Sequence, residues 1–96
     1  MNRLWISGVV IETKPLRVSP AGVPIGEALI EHREAAELTT GPRELTCEVI
    51  VQASGTLAET LARLPSGARV KLEGALNRKS LHSRQLIVVL NRIEKE

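Results

Sequence analysis

Apolar and polar residues alternate along two segments of this chain, and a period of two favours folds built from β-strands. The alternation is clearest from Arg43 to Ala53, where every second side chain is small or apolar: Leu45, Cys47, Val49, Val51 and Ala53. Because successive side chains of a strand point to opposite faces, this segment predicts a strand with one buried face. Cys47 is predicted to point inward there as a small buried side chain.

Four further segments are predicted to be strands: Arg3–Glu12, Ile25–Arg33, Ala68–Leu76 and Gln85–Glu94. The first and the last of them carry apolar side chains on both faces, so both of their faces need a cover. Gly8 interrupts the first strand, which is typical of a bend or of a close approach between two backbones. In the segment Ala68–Leu76 the inward side chains are predicted to be Val70, Leu72 and Leu76, and the outward ones Arg69, Lys71 and Glu73.

The connections carry turn and helix signals. Thr13–Pro24 is rich in Pro and Gly, and Ser19-Pro20-Ala21-Gly22 predicts a tight turn between two strands. Glu34–Pro42 is predicted to be a loop with some helical potential. The period changes over Leu57–Leu64, which predicts a short helix with Thr56 as a possible cap and with a stop at Pro65-Ser66-Gly67.

The predicted order is three strands, a short helix and two strands. That order predicts an all-β fold, a five-stranded OB-fold barrel whose helix lies between strands 3 and 4. A length of 96 residues suits one domain, 1–96. Apolar groups outside a small barrel need a partner, so a homodimer is predicted. The alternative is that these side chains are singly exposed, which is common on protein surfaces.

Catalytic chemistry has few candidates in this sequence. His32 and His82 stand in no metal-ligand spacing, no Gly-rich phosphate loop occurs, and the chain contains no Asp. We therefore expect neither an enzyme nor a bound metal or cofactor. A single cysteine fits a reducing compartment. With no apolar run long enough to cross a membrane, a soluble cytoplasmic protein is expected.

Placement of the basic residues is more informative than the net charge of +2. The loop Asn77–Arg84 holds three cations and no carboxylate, and in an OB-fold this loop lines the oligonucleotide groove. Three arginines flank the other two loops and extend the patch. The predicted nucleic-acid-binding residues are Arg17, Arg33, Arg43, Arg78, Lys79 and Arg84. The alternative interpretation of the loop is a solvated basic hairpin tip.

Aromatic side chains are almost absent, since Trp5 is the only one. Proteins that bind single strands usually stack bases on such rings. A lone Trp is more typical of a core or an interface than of a stacking platform. Arg guanidinium groups stack on bases in part compensation, and binding is expected to be mainly electrostatic and sensitive to salt.

Two stretches resemble a known family. The opening Asn2-Arg3-Leu4-Trp5-Ile6-Ser7-Gly8-Val9-Val10 looks like the first strand of bacterial single-strand-binding proteins and their primosomal relative. Leu16-Arg17-Val18-Ser19-Pro20-Ala21-Gly22-Val23-Pro24, followed by Glu31-His32-Arg33, is similar to the primosomal replication protein N (PriB) family. The resemblance covers nearly the whole chain and is strongest from Asn2 to Arg33.

This resemblance implies a dimer of OB-folds without catalytic activity. Such a protein binds single-stranded DNA in the restart of stalled replication forks, stabilises the PriA helicase on DNA and helps to bring in a further primosome protein, DnaT. Arg17 and Arg33 match positions at which the family contacts single-stranded DNA. Arg78, Lys79 and Arg84 match its basic loop, which is slightly shorter here.

The sequence departs from the family at two places. Thr46 stands where better-known members carry a Trp before the Cys of the third strand, and Gly41-Pro42 replaces a Phe. These losses favour a second hypothesis, an adaptor whose groove mainly holds partner proteins and touches DNA incidentally. A third hypothesis is an OB-fold module that binds RNA. The residues alone leave all three open.

Overall fold

The strands close into a small barrel. In the computed structural model, which describes residues 1–96, the elements are β1 (Leu4–Thr13), β2 (Arg17–Val18), β3 (Pro24–Leu38), β4 (Gly41–Ser54), α1 (Thr56–Ala62), β5 (Arg69–Arg78) and β6 (Leu86–Lys95). The sheet order is β1-β5-β6-β4-β3-β2, and β1 also pairs with β3, which closes the ring. The β4–β6 pair is parallel and every other pair is antiparallel.

This architecture confirms the predicted OB-fold barrel with one short helix. The two-residue strand β2 is an addition within the predicted turn region, and it pairs with the start of β3. As a result α1 lies between β4 and β5, which are the third and fourth strands of the barrel itself. The predicted tight turn joins β2 to β3, with the Gly22 N–H donating to the Ser19 carbonyl at 2.8 Å. Gly22 has φ +83°, a conformation that L-residues rarely adopt.

Aliphatic side chains fill the barrel. The core cluster is Val10, Ala28, Ile30, Val51, Ala53, Ala58, Leu61, Leu64, Val70, Leu72, Val88 and Leu90. Ala58 and Leu61 of α1, together with Leu64 just after it, belong to this cluster, so the helix packs on the barrel interior. The predicted cap at Thr56 is wrong, because Gly55 precedes the helix and no side chain caps it.

Gly8 marks the point where β1 passes from one neighbour to the other. A Cβ at Gly8 would lie 2.5 Å from the Glu31 carbonyl oxygen, so the predicted close backbone approach is confirmed. Pairing of β1 with β3 begins only at Val9, opposite Glu31. The preceding stretch of β1, from Leu4 to Gly8, pairs with β5 alone. No strand is paired with its other edge, although the His32 side chain of β3 reaches it.

The hairpin of β3 and β4 continues past the barrel. Residues 33–48 are here called the hairpin arm, and none of them is buried. Residues 33–46 pair with one another around a turn at Thr39 and Thr40, and the last two residues of the arm pair with Glu31 and His32. The predicted loop at Glu34–Pro42 is wrong, because these residues extend the two strands. The prediction that Cys47 is buried is also wrong: it is exposed, since no other strand covers the arm. The arm carries four glutamates and two arginines.

In β5 the alternation of residues predicts which side of the sheet Glu73 faces, but it does not predict how far Glu73 and Leu76 are buried. Glu73 faces outward as expected but is buried there, because it lies opposite Trp5 and is close to Arg3 and Asn91. The prediction that Leu76 is inward is wrong, since this side chain is 43% exposed. Leu76 lies near the end of β5, where the Asn2 side chain exchanges two hydrogen bonds with its backbone.

Candidate nucleic-acid interface

Two connections meet at one end of the barrel and form a cleft. The cleft has a volume of about 300 Å³ and is lined by Lys14, Pro15, Arg17, Ile25, Glu27 and Lys79. Arg17 is held in β2 by pairing with Ile25 of β3. Lys79 follows β5 directly, and its backbone N–H donates to the Gln85 carbonyl at 2.9 Å. The fold thus brings together two predicted binding residues that are far apart in the sequence.

Charge in this cleft is only partly neutralised. Lys14 Nζ lies 3.0 Å from Glu27 Oε2, so these two charges offset each other. Arg17 and Lys79 make no ion pair, and both are exposed. The cleft therefore presents two uncompensated cations to solvent. A phosphate group can approach such cations without displacing a carboxylate first.

The other two basic residues of this cluster are Arg78, the last residue of β5, and Arg84 in the β5–β6 loop. Arg78 Nη1 donates to the Leu81 carbonyl at 3.1 Å, which uses one of the five guanidinium donors. The Ser83 N–H donates to the Ser80 carbonyl at 3.1 Å, so the loop is stabilised by its own hydrogen bonds. Arg78 and Arg84 are both exposed. The loop therefore continues the positive charge of the cleft from Lys79 onward.

Arg33 and Arg43 lie elsewhere, in the hairpin arm. Arg33 is eight residues beyond Ile25 along β3, a distance of about 27 Å in an extended strand. Its guanidinium lies 3.8 Å from Glu44 and 4.0 Å from Glu31. Arg43 shares a recess of the arm with Glu37 and Glu44. The structure therefore separates these two arginines from the cleft and places carboxylates around them.

No aromatic ring reaches the cleft. Trp5 is on the outer face of β1 and is 41% exposed, so it is not a core residue. Aliphatic side chains occur instead near the cleft. Val18 of β2, Leu81 of the β5–β6 loop and Leu86 at the start of β6 are between 56% and 71% exposed. Contacts with bases at this site would therefore come from guanidinium and aliphatic groups.

Lys14 is a cleft residue that the sequence did not single out. It stands three residues before Arg17 in the same Pro-rich connection, and that spacing within a basic loop is the signal that would have pointed to it. Glu27 gave no such signal, because its position beside Lys14 depends on the β1–β3 pairing. Lys14 and Glu27 thus add an ion pair to the cleft that the six predicted residues do not include.

Other reactive side chains are dispersed. His32 Nδ1 lies 2.7 Å from the Ser7 carbonyl oxygen, whereas His82 is in the exposed basic loop. The structure gathers no group of three or more His, Cys, Asp or Glu side chains suited to a metal ion. None of its helices has the length and apolar character needed to cross a membrane.

Sequence comparison identifies relatives along nearly the whole chain. Residues 2–92 match the family described as another single-strand binding protein family. The replication restart protein PriB of Photorhabdus laumondii is 32% identical over 98 residues, covering 92% of this chain and 93% of that protein. The replication restart protein PriB of Yersinia pseudotuberculosis is 30% identical over 95 residues, covering 88% of this chain and 90% of that protein.

Structural comparison identifies the same group. The PriB protein of Ralstonia solanacearum superimposes with a TM-score of 0.91 at 27% identity and covers 99% of this chain and 97% of its own. The single-stranded DNA binding protein of Thermus aquaticus superimposes with a TM-score of 0.80 at 21% identity, over 100% of this chain and 50% of its own, which shows a shared fold. Since the sequence match extends from the first strand into the last and the barrel superimposes throughout, the chain belongs to the PriB family of single-strand-binding proteins.

Proposed function

We propose that this chain is an accessory protein of the replication-restart primosome that binds single-stranded DNA and stabilises the PriA helicase on it. The observation that carries the proposal is the meeting of Arg17 and Lys79, both without an ion pair, in one cleft of an OB barrel. This fold commonly binds oligonucleotides beside these two connections. Relatives named replication restart protein PriB indicate the process.

Binding in this cleft is mainly electrostatic. Exposed cations release counterions from the DNA backbone when they neutralise phosphates, and this supplies affinity without regard to base sequence. The absence of an aromatic ring removes the stacking energy that most single-strand binders use. The affinity should therefore be modest and should fall steeply as salt is added.

The remaining predicted residues extend the path of the DNA. Arg78 and Arg84 continue the charge of the cleft along the β5–β6 loop. Arg33, which matches a DNA-contacting position of the family, and Arg43 of β4 provide outer contacts in the hairpin arm. They contribute less, because a phosphate must compete with Glu31 and Glu44 for Arg33 and with the carboxylates around Arg43.

Fluorescence anisotropy of labelled oligo(dT) at several salt concentrations tests DNA binding. With about three to five phosphates neutralised, log affinity should fall with log salt at a slope of about −2 to −3.5, since each contact contributes roughly −0.7. A flat response to salt would rule out the electrostatic cleft.

Two charge-matched double variants test where the DNA lies. Arg17→Glu with Lys79→Glu should weaken binding by about tenfold or more and should reduce the salt slope by about 1.4, the value for two lost contacts. Arg33→Glu with Arg43→Glu changes the net charge equally but should have a clearly smaller effect. Equal losses in the two variants would contradict the assignment of the cleft as the main site.

A second candidate function is an adaptor that holds partner proteins. The exposed aliphatic side chains Val18, Leu81 and Leu86 favour it, because they offer apolar contacts that a phosphate backbone does not use. The triple variant Arg78→Glu, Lys79→Glu, Arg84→Glu separates the two functions. Unchanged oligo(dT) affinity with reduced stimulation of PriA would establish the adaptor, and preference for structured RNA over oligo(dT) in competition would establish an RNA-binding module.

We further propose that two copies of the chain form a homodimer. The edge of β1 from Leu4 to Gly8 is paired with no strand on one side, and such an edge pairs readily with another strand. Antiparallel pairing of two β1 edges would build an isologous, closed contact. Pairing of the two β1 edges would satisfy the unpaired backbone N–H and C=O groups of this edge, and it would leave both faces of the sheet uncovered.

In this proposal the chain binds and recruits but catalyses no reaction. Its partners are single-stranded DNA, PriA and DnaT, the last two through the family resemblance. It acts at replication forks of the bacterial nucleoid, in the cytoplasm. Purified protein should accordingly change the activity of PriA on forked DNA while leaving DNA and nucleotides intact when tested alone.

A further inference from the structure

We infer that the outer face of the β1–β5–β6 sheet is a second contact surface for single-stranded nucleic acid, with a base stacked on Trp5. This surface, here called the Trp5 face, consists of Arg3, Trp5, Lys71 and Arg92. It is separate from the cleft and contains none of the six residues predicted from the sequence. The inference rests on the proposed function for the identity of the polymer.

Strand register places these residues on one face. Trp5 of β1 lies directly opposite Glu73 of β5, and Glu73 lies opposite Arg92 of β6. Lys71 is two residues before Glu73 and Arg3 is two residues before Trp5, so both point to this same side. The face is outside the barrel, because the alternate residues, such as Leu72, are in the core.

Three cationic side chains flank the Trp5 ring. Lys71 Nζ lies 5.3 Å from the ring centroid, Arg3 Cζ 5.7 Å and Arg92 Cζ 5.9 Å. Arg3 is within 3.8 Å of Glu73, and Arg92 is within 3.8 Å of Glu94. Lys71 makes no ion pair and is the nearest cation to the ring, so it is the group free to meet a phosphate.

An exposed aromatic ring flanked by cationic side chains is suited to binding a nucleotide. The indole remains 41% exposed although three cationic side chains stand beside it. Stacking of a base on an aromatic ring with phosphates held by flanking cations is how single strands bind without sequence preference. A second copy of the chain is a poorer occupant, because a symmetric contact would set this face against itself, and its three cations outnumber the two carboxylates beside them, Glu73 and Glu94. Charge complementarity therefore favours a polyanion.

The Trp5 face can act together with the cleft. Lys71 and Lys79 are eight residues apart, one within β5 and the other just after it, which corresponds to about 27 Å along an extended strand. At about 3.4 Å per nucleotide, roughly eight nucleotides span that distance. Each site then raises the effective concentration of DNA at the other.

Trp5 emission provides a direct test, because no other aromatic residue exists in the chain. We expect oligo(dT) to quench it in the wild type. The cleft variant Arg17→Glu with Lys79→Glu should still show quenching, at higher DNA concentrations. Lys71→Glu should lose most of the quenching. Arg63→Glu, the same charge reversal at the exposed end of α1, should behave as the wild type does.

Anisotropy with labelled oligo(dT) provides the second readout. Trp5→Leu should weaken binding of the long oligonucleotide about tenfold, the order expected for one lost stacked base. Should that variant fail to fold, Lys71→Glu still carries the test, because an exposed side chain is changed and circular dichroism can verify the barrel.

Three results would overturn the inference. If anisotropy saturates while Trp5 emission stays unchanged, DNA binds in the cleft alone and the proposed function stands without the Trp5 face. If Lys71→Glu matches Arg63→Glu in quenching and affinity, the face does not contact DNA. If emission changes with protein concentration and not with DNA, a second copy covers the ring. Absence of any anisotropy change at low salt would instead overturn the proposed function itself, and this inference with it.

Discussion

The close approach of β1 to β3 depends on the absence of a side chain at Gly8. The Glu31 carbonyl oxygen lies 2.5 Å from the position of a Cβ, and Ile30 Cγ2 lies 2.6 Å from it. Ile30 is fully buried, and the carbonyl belongs to the backbone of β3, so neither can move away without disturbing the core. Gly8 therefore permits β1 to cross from β5 to β3 within one residue.

Gly8→Ala should lower the free energy of unfolding by about 3 kcal/mol, near the upper end of what overpacking costs. Gly22→Ala is the control, because a Cβ there meets nothing within 4 Å and only the positive φ is strained. That variant should lose about 1 kcal/mol. Urea unfolding followed by Trp5 fluorescence measures both, and equal losses would contradict the role of close packing at Gly8.

At the scale of elements, the helix α1 contributes to stability mainly through its contact with the core. Leu61→Ala should lower the free energy of unfolding by about 2–5 kcal/mol, because this fully buried side chain would leave a cavity. Thr60→Ala on the exposed side of the same helix should change it by no more than about 0.5 kcal/mol. Chemical denaturation of the two variants measures the difference, and similar losses would show that α1 is not packed through Leu61.

The hairpin arm should contribute little to the stability of the barrel. Replacing residues 35–44 by a two-residue Asn-Gly turn between Glu34 and Leu45 should change the free energy of unfolding by about 1 kcal/mol or less, because no removed residue is buried. Thermal melting by circular dichroism tests this. A loss of several kcal/mol would show that the arm packs against another surface, such as a partner chain.

The sequence predicted the barrel elements well and the arm poorly, for physical reasons. Alternation marks a strand wherever one face is buried, as in the part of β4 that contains Val51 and Ala53. In the arm neither face is buried, so the pattern fades, and Ala35-Ala36-Glu37-Leu38 suggests a helix by local propensity. Pairing across the turn decides the outcome instead, and Cys47 continues the alternation beyond the point where the core ends.

The cleft was predictable only in part. Lys79 belongs to a run of cations without a carboxylate, and the sequence identified that run. The meeting of Lys79 with Arg17 depends on closure of the sheet, which no local pattern encodes. The same holds for Arg33, which is basic in the sequence but lies beside Glu44 of the neighbouring strand. The length of β3 thus separates Arg33 from Arg17 and Lys79, although the sequence analysis had grouped all three.

For the whole molecule, the free edge of β1 predicts self-association. Sedimentation equilibrium should give twice the monomer mass of 10.5 kDa at micromolar concentration. The association should be largely insensitive to salt, because pairing of strand edges depends on backbone hydrogen bonds and not on charge. A constant monomer mass up to high concentration would contradict the proposed dimer.

The acidic hairpin arm makes the charge distribution of the molecule asymmetric. Its four glutamates and two arginines sum to −2, which leaves +4 for the rest of the chain, and β3 extends from the cleft at one end to the tip of the arm at the other. An approaching polyanion is repelled by the tip and attracted to the barrel, so it is oriented before it touches the surface. The arm would then influence the rate of encounter with DNA more than the strength of the complex, and it would leave the tip free for a positively charged partner.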